Sequence, residues 1–298
     1  NHYGAEKSLD VVITPAIEHV YELGSTFKPL TMAAGVDLGK VSPKTTYFDA
    51  GYLIINGRRI ENYDGKGRGT VDMQTVLNES LNTGAVFAMR QIGVGPFKDY
   101  LYRFGLADKT GIELPGEVAG NLANLESGRE IESATASFGQ GVAVTPLAFL
   151  RAVSALANGG KLVRPFIIEK ILFDGAPDAV TEPQIKEGSV KPQTSEEITR
   201  MLVKVVDEAL VGGTLKNEHY SIAAKTGTAQ LPSKSGPGYS DEYLHSFFGY
   251  APAYNAKFAI VMFLVKPQGA RYASQTLSEP FMETMKFLLN YYNVPPDR

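Results

Sequence analysis

Apolar residues recur at helical spacing in several stretches of the chain and form nearly continuous runs in its last third. The helical spacing predicts helices, and the pair Thr145-Pro146 is a typical helix start. The predicted helices cover about residues 25–39, 70–92, 96–104, 145–158, 194–210 and 276–292. The apolar runs at 220–228, 245–251 and 256–265 predict an antiparallel meander, against which the last helix packs.

Polar segments interrupt this pattern. The polar stretch 78–84 breaks helical propensity inside a buried pattern. It indicates either a polar turn between two helices or, as we prefer, Ser80 and Asn82 held at a helix junction that faces a cleft. Thr194 and Glu197 form a capping-box pattern that predicts the start of the helix over 194–210.

Several connecting segments have simpler patterns. Residues 52–55 followed by Asn56-Gly57 predict a hairpin with a primed turn. Residues 162–173 are expected to be extended, and residues 174–193, rich in proline and charge, to lie on the surface. The loop 229–242, rich in Pro, Gly and Ser, is expected either to gate a cleft or to be disordered.

The composition excludes several classes of function. With 44% apolar and 20% charged residues the chain is typical of a globular protein, and its net charge of −3 without a basic run argues against nucleic acid as a partner. The absence of cysteine excludes disulfides, thiolate metal sites and cysteine nucleophiles. The histidines show no metal-ligand spacing, and His245 beside two phenylalanines is more typical of packed structure than of a catalyst.

The first candidate for chemistry is the pair Ser25 and Lys28 at the start of a predicted helix, with Ser25 expected as N-cap or first residue. Their separation is almost one helical turn, so both side chains lie on one face. An amine whose pKa is lowered by burial or by a neighbouring cation can take the proton of a serine hydroxyl. Backbone N–H groups at the helix start can stabilise an oxyanion. The pair therefore indicates acyl transfer, although a serine N-cap near a solvated lysine is also common.

The second candidate lies on the predicted strand 220–228. Lys225 supplies a positive charge, and the hydroxyls of Thr226 and Thr228 share one face, because strand neighbours two apart point the same way. Gly227 has no side chain, so another group can approach the backbone closely. Beside a serine nucleophile, such a strand can hold a substrate carboxylate and complete an oxyanion hole.

Three short motifs thus follow one another along the chain. They are Ser25-x-x-Lys28, Ser80-x-Asn82 and Lys225-Thr226-Gly227. In this order they resemble the signature of penicillin-binding proteins and serine β-lactamases. The sequences at 24–29, 110–117, 138–141, 225–229 and 245–252 look specifically like the monofunctional class B penicillin-binding proteins, and the resemblance covers nearly the whole chain. Lys109-Thr110-Gly111 also spells the third motif, but it lies in a predicted loop after a helix, so Lys225 is preferred as the site residue.

The resemblance implies an α+β fold, in which an antiparallel sheet is flanked by helices and joined by an all-helical lobe. Residues 1–298 would form one transpeptidase domain, with the helical lobe at roughly 42–145 between the Ser25 helix and the C-terminal sheet lobe. In the family two strands and a helix normally precede the first motif, after a pedestal domain and a membrane anchor. Only 24 residues precede Ser25 here. We therefore expect the pedestal, the first strands and the anchor to be absent from this chain, which begins without Met, and the domain to lie on the extracytoplasmic face of a bacterial membrane.

The resemblance also implies the roles of the catalytic residues. Ser25 would attack the carbonyl between two D-alanines of a peptidoglycan stem peptide, and Lys28 would accept its proton. Ser80 would relay a proton to the leaving amine, while Asn82 would bind the substrate amide and order Lys28. The resemblance implies that no metal and no organic cofactor is needed. The identity of the base is debated for this motif family. Amine groups gathered in one cleft would push one lysine towards neutrality, which favours Lys28.

Substrate binding would fall to Lys225 and its neighbours. Lys225, Thr226 and Thr228 would bind the terminal carboxylate, with Gly227 between them, and the N–H groups of Ser25 and Thr228 would form the oxyanion hole. The partners implied are peptidoglycan stem peptides, β-lactam antibiotics that trap the acyl-enzyme, and other cell-wall synthesis proteins bound through regions missing here.

Three alternatives stay open. A serine β-lactamase would need fast deacylation, and the Glu-x-x-Leu-Asn pattern of class A enzymes is one residue too short at Glu79–Asn82. A D,D-carboxypeptidase would use water in place of the acceptor amine. A non-catalytic β-lactam sensor domain would be acylated once and would signal through segments outside this chain.

Overall fold

A computed structural model describes residues 13–175, 177–233, 236 and 238–298. Its helices are α1 (Pro15–Glu18), α2 (Lys28–Asp37), α3 (Met73–Asn78), α4 (Asn82–Ile92), α5 (Val94–Arg103), α6 (Glu130–Ala136), α7 (Pro146–Ser154), α8 (Pro192–Lys204), α9 (Ala273–Thr276) and α10 (Ser278–Tyr291). Its strands are β1 (Thr46–Asp49), β2 (Tyr52–Ile55), β3 (Arg58–Glu61), β4 (Gly69–Asp72), β5 (Leu162–Val163), β6 (Lys170–Ile171), β7 (Ala179–Val180), β8 (Ile185–Lys186), β9 (Ala223–Pro232), β10 (Tyr239–Ala251) and β11 (Phe258–Val265).

The main sheet is the predicted antiparallel meander. Within the described residues it has three strands in the order β11-β10-β9. Phe247 of β10 lies opposite Thr226 of β9 and Met262 of β11. The strands β9 and β10 extend into the segment 229–242, so much of the predicted loop is strand, and residues 234, 235 and 237 lie outside the described part. The strand β9 forms one edge of this sheet.

Helices cover both faces of the sheet. Phe247 stacks on Phe281 of α10 with ring centroids 4.4 Å apart, which confirms that the last helix packs on the sheet. The next residue, Phe248, points to the other face, as strand alternation requires, and meets Phe149 of α7 edge to face. Phe149 stacks in turn on Phe27, at the start of α2. Burial of these rings fixes α2 against the sheet, and so determines where the residues at its N terminus lie.

The lobe between α2 and α7 is helical apart from two small strand pairs. The strands β2 and β3 form the predicted hairpin, with Asn56 and Gly57 both at positive φ as a primed turn requires. The strands β1 and β4 form the other pair.

The prediction that the helical segment 70–92 begins at Thr70 was wrong, whereas the predicted break within it is present. Residues 70–72 belong to β4, and Ser80 has a φ of 56° between α3 and α4. Pairing of Thr70 with Phe48 overrides local helix propensity at the first point, and the left-handed Ser80 ends the helix at the second. The preferred interpretation of residues 78–84, a junction between two helices, is confirmed.

Two other predictions need correction. The helix α8 begins at Pro192 rather than at a Thr194 capping box, because the Thr194 hydroxyl donates to Asp37. The segment 174–193 is not entirely surface, since Ser189 and Val190 are buried. Residues 162–173, predicted to be extended, contain the two-residue strands β5 and β6 and no helix. In the part of the chain that the structure describes, no helix combines the length and apolarity needed to cross a bilayer.

Candidate active site

Ser25 lies in a 3₁₀ turn, Gly24–Phe27, that leads directly into α2. Ser25 was expected at the first α-helical turn, so the structure places it one turn earlier. In a 3₁₀ turn residues three apart eclipse each other. Lys28, the first residue of α2, therefore stands directly beside Ser25, and its Nζ lies 2.9 Å from Ser25 Oγ.

Lys28 also connects Ser25 to the helical lobe. Its Nζ donates to Ser80 O at 2.6 Å and lies 3.1 Å from Ser80 Oγ. Ser80 occupies the left-handed region of backbone space, which non-glycine residues adopt only where their surroundings hold them. This turn aims both the carbonyl and the hydroxyl of Ser80 at Lys28.

Lys225 of β9 completes the chain of contacts. Its Nζ donates to Ser80 Oγ at 3.0 Å and to Thr226 O at 3.1 Å. A continuous hydrogen-bonded path therefore runs from Ser25 through Lys28 and Ser80 to Lys225. Three segments that are remote in sequence meet here: the α2 start, the α3–α4 junction and the sheet edge.

Both lysines are buried, with exposures of 1% for Lys28 and 2% for Lys225. Burial, and then repulsion from Lys225, holds the pKa of Lys28 well below its usual range. Burial lowers the pKa of Lys225 to about 7. The two causes named for Lys28 are those that the sequence predicted for a lysine base. The arrangement favours a neutral amine at Lys28, able to accept a proton from Ser25.

The remaining predicted residues lie around this path with different contacts. Asn82, at the start of α4, donates from Nδ2 to Glu61 O at 2.9 Å. The hydrogen bonds of Lys28 go to Ser25 and Ser80, so the expected ordering of Lys28 by Asn82 is not a direct hydrogen bond in this structure.

Thr226 and Thr228 share one face of β9, as predicted, and that face is opposite to the one carrying Lys225. Thr228 Oγ1 accepts a hydrogen bond from Ala273 N at 3.0 Å. This acceptor bond leaves the hydroxyl proton of Thr228 available to donate to a ligand at the sheet edge.

The backbone around Gly227 shows the expected close approach. A Cβ at Gly227 would lie 2.5 Å from Leu23 O and 2.9 Å from Thr26 N. Similarly, a Cβ at Gly24, which has a φ of 60°, would lie 2.9 Å from Thr228 O. The two segments whose N–H groups were predicted to form the oxyanion hole are thus in direct contact.

A pair of buried hydroxyls that the sequence reasoning missed joins these segments. Ser246 Oγ donates to Leu23 O at 2.6 Å, and Thr26 Oγ1 donates to the same carbonyl at 2.9 Å. Both residues stand inside sequences quoted above for the family resemblance, at 24–29 and 245–252. Membership in those two family-like sequences was the signal that could have identified the two hydroxyls. The spacing of the residues along the chain did not predict that the hydroxyls meet.

His245 and the second Lys-Thr-Gly sequence are structural. His245 is fully buried, with Nδ1 2.8 Å from Thr276 Oγ1 and Nε2 3.1 Å from Arg271 O, and burial lowers its pKa.

In the second Lys-Thr-Gly sequence, the backbone N–H groups of Thr110 and Gly111 donate to the Glu117 carboxylate, so this sequence closes a loop. Among the described residues no group of three or more His, Cys, Asp or Glu side chains is placed to hold a metal ion.

Comparison with known proteins shows similarity in sequence. The chain matches the family described as penicillin binding protein transpeptidase domain over residues 2–286. It is 34% identical over 269 residues to stage V sporulation protein D of Bacillus subtilis, covering 88% of this chain and 41% of that protein. It is 31% identical over 286 residues to the peptidoglycan D,D-transpeptidase FtsI of Escherichia coli, covering 94% of this chain and 46% of that protein. The chain therefore spans less than half the length of these relatives.

Solved structures show the same similarity in fold. Penicillin binding protein 3 of Mycobacterium tuberculosis, complexed with ampicillin, aligns with a TM-score of 0.86 and 28% identity, covering 95% of this chain and 65% of that one. The transpeptidase domain of penicillin-binding protein 3 from Burkholderia pseudomallei aligns with a TM-score of 0.81 and 27% identity, covering 97% of this chain and 84% of that one. The likeness in sequence and in fold thus extends over nearly the whole chain.

Proposed function

Because this chain belongs to the penicillin-binding protein transpeptidase domain family, we propose that it is a serine D,D-transpeptidase that crosslinks peptidoglycan stem peptides through an acyl-enzyme on Ser25. The observation that carries this proposal is the path from Ser25 Oγ through Lys28 and Ser80 to Lys225. It supplies a nucleophile, a base of lowered pKa, a relay hydroxyl and a cation in one cleft.

In the acylation step, Ser25 Oγ attacks the carbonyl between two D-alanines and its proton passes to Lys28 Nζ. The N–H groups of Ser25 and Thr228 stabilise the tetrahedral oxyanion. As the C–N bond breaks, a proton reaches the leaving D-alanine amine through Ser80, whose Oγ lies within hydrogen-bond distance of Lys28 Nζ. The amine of a second stem peptide then attacks the ester carbonyl. The new C–N bond replaces the C–O bond to Ser25, and the proton that the amine loses returns to Ser25 Oγ through Lys28 Nζ.

Carboxylate recognition is assigned to the hydroxyls of Thr226 and Thr228 together with Lys225, whose side chain leaves the opposite face of β9 but whose Nζ lies 3.1 Å from Thr226 O. A bound carboxylate would favour the protonated form of Lys225 and so raise its pKa from about 7. Asn82 is assigned to the substrate amide, because its side chain lies at the start of α4 beside the Ser80 turn. A β-lactam presents a similar carbonyl and carboxylate and would acylate Ser25 in the same way.

The test is labelling with a fluorescent penicillin, followed by mass spectrometry of the modified peptide. We expect one adduct per chain, on Ser25, and none in Ser25→Ala. The matched control is Ser42→Ala, which removes a hydroxyl from a described residue outside the cleft. An adduct on another serine would overturn the proposal.

The turnover of the adduct separates the alternatives. A transpeptidase adduct with penicillin persists, and with a D-alanyl-D-alanine peptide donor the product changes when an acceptor amine is added. Rapid hydrolysis of the penicillin adduct indicates a β-lactamase. Release of D-alanine that is insensitive to the amine indicates a carboxypeptidase, and a stable adduct without any peptide turnover indicates a sensor domain.

The proposal includes a place of action and partners. We place the domain on the extracytoplasmic face of the bacterial cell membrane, anchored by a segment outside this chain and assembled there with other cell-wall synthesis proteins. The names of the relatives as peptidoglycan transpeptidases support the cell-wall setting. Fractionation of cells that produce the full-length protein tests it, since recovery in the cytoplasmic fraction would contradict the assignment.

A further inference from the structure

A buried carboxylate lies behind the second motif, and none of the proposed catalytic steps uses it. Asp49, at the end of β1, is 1% exposed. It accepts hydrogen bonds from Gly51 N at 2.9 Å, Arg68 N at 3.1 Å and Thr83 Oγ1 at 2.7 Å, and two from Asn62 Nδ2 at 3.1 and 2.9 Å. All these partners are donors, and none of them is a cationic side chain. A carboxylate held only by neutral donors fixes the geometry of each of them.

Two of these donors adjoin either Asn82 or the residue that binds its side chain. Thr83 directly follows Asn82, and Asn62 directly follows Glu61, whose carbonyl accepts from Asn82 Nδ2. Asn62 Oδ1 also accepts from Thr83 N at 3.3 Å, so it satisfies an N–H in the first turn of α4. Asn82 is therefore held from both sides, through its own side chain and through the backbone of the next residue.

The hydroxyl of Thr83 has a defined direction. Tyr47 OH lies 3.0 Å from Thr83 Oγ1, and the shortest contact of this Oγ1 is to Asp49. A second acceptor, Asn62 Oδ1, lies farther from Thr83 Oγ1, at 3.2 Å. Because a carboxylate oxygen only accepts and Asp49 is the nearer acceptor, Thr83 donates to Asp49 and accepts from Tyr47. Replacing the hydroxyl by a methyl group would remove one of the hydrogen bonds to Asp49, which would keep those from Gly51, Arg68 and Asn62, and would remove the hydrogen bond of the Tyr47 hydroxyl.

We infer that the Asp49 carboxylate, acting through Thr83 and Asn62, is a positioning group that fixes the direction in which the Asn82 amide faces the cleft. The inference rests on the proposed function in one respect, namely that Asn82 contacts the substrate amide. The Asp49 carboxylate is buried, and its hydrogen bonds go to Gly51, Asn62, Arg68 and Thr83 rather than to Ser25. Its effect on acylation must therefore pass through Asn82.

The chain offers a matched control for Thr83. Thr194 is also a buried threonine, and its hydroxyl donates at 2.8 Å to another buried carboxylate, Asp37. Asp37 is the last residue of α2, at the opposite end of that helix from Lys28. Thr83→Val and Thr194→Val remove the same bond from the same kind of site, so both are expected to lower the melting temperature. Only the first should affect the cleft.

The kinetic experiment measures the rate constants for acylation by a penicillin. We expect Thr83→Val to lower the second-order constant by about tenfold to a hundredfold, as small displacements of positioning groups do. Thr83→Ser, which keeps the hydroxyl, should restore the wild-type value, and Thr194→Val should leave it unchanged. The double variant Asn82→Ala/Thr83→Val should be no slower than Asn82→Ala, because Thr83 acts through Asn82. Equal effects of the two valine variants, or effects that multiply in the double variant, would overturn the inference.

A second measurement does not depend on catalysis. In protein labelled with ¹⁵N-asparagine, the side-chain amide of Asn82 is identified by its loss in Asn82→Ala. We expect Thr83→Val to shift this resonance and speed its hydrogen exchange, and Thr194→Val to leave it in place. If the wild-type protein is not acylated at all, the proposed function is wrong, and the amide resonance still decides the positioning role. An Asn82 resonance unchanged in Thr83→Val would refute it.

Discussion

At the scale of single residues, Lys28 has the largest predicted effect. We expect Lys28→Met to slow acylation by about 10²–10⁴-fold, the usual contribution of a positioned base. The melting temperature should not fall, because a buried amine is replaced by an apolar side chain of similar length. Mass-spectrometric acylation rates and thermal unfolding check both. The control is Lys161→Met, because the Lys161 side chain is 46% exposed. If Lys28→Met were acylated by penicillin at the wild-type rate, Lys28 would be excluded as the base.

The pH dependence of acylation also belongs to single residues. Lys28 must be neutral to act as a base, so the rate should rise with pH as it loses its proton. Lys225 must be charged to attract a carboxylate, so the rate at low penicillin concentration should fall above its pKa of about 7. In Lys225→Arg the charge persists, and the falling limb should disappear while the rising limb remains. A falling limb near pH 7 that survives in Lys225→Arg would assign it to another group.

At the scale of elements, local patterns predicted structure wherever one face of a helix or strand is buried against the core. The meander, the 52–61 hairpin and the final helix follow from apolar spacing and turn residues. The prediction failed where a distant partner decides the conformation. Thr70 joins a strand because it pairs with Phe48. The Thr194 hydroxyl donates a hydrogen bond to Asp37, which is remote in the sequence.

The contact between the Ser25 turn and β9 gives a prediction for an element. We expect Gly227→Ala to destabilise the fold by about 1–3 kcal/mol, because the new methyl group would press on Leu23 O and separate the two segments. Acylation should slow as the oxyanion hole widens. Denaturant unfolding and acylation rates measure the two effects. Gly95→Ala, in α5 with open space around it, is the control and should be neutral or slightly stabilising. Comparable stability of both variants would contradict this account.

At the scale of the whole molecule, the three motifs were enough to predict the meeting of Ser25, Lys28, Ser80 and Lys225. These side chains lie on one hydrogen-bonded path. The sequence could not predict what holds that path in place. Asp49 carries no motif, and its importance arises only when β1, the loop after β3 and the start of α4 come together. Positioning groups of this kind depend on tertiary contacts rather than on spacing.

Folding buries two amines in one cleft, which makes the stability of the whole domain depend on pH. The pKa of Lys225 falls from an ordinary 10.5 to about 7 in the folded state. Between these values the unfolded chain binds more protons than the folded one, so this lysine makes the free energy of unfolding rise with pH, and below about 7 its contribution is constant. Lys225→Met removes that contribution. We expect the variant to exceed the wild type in stability most clearly near neutral pH, with the difference shrinking as pH approaches about 10. Urea unfolding at a series of pH values measures this difference in the free energy of unfolding. For the control Lys161→Met, the plot of that free energy against pH should run parallel to the wild-type plot. A difference for Lys225→Met that stays constant with pH would show that Lys225 keeps an ordinary pKa.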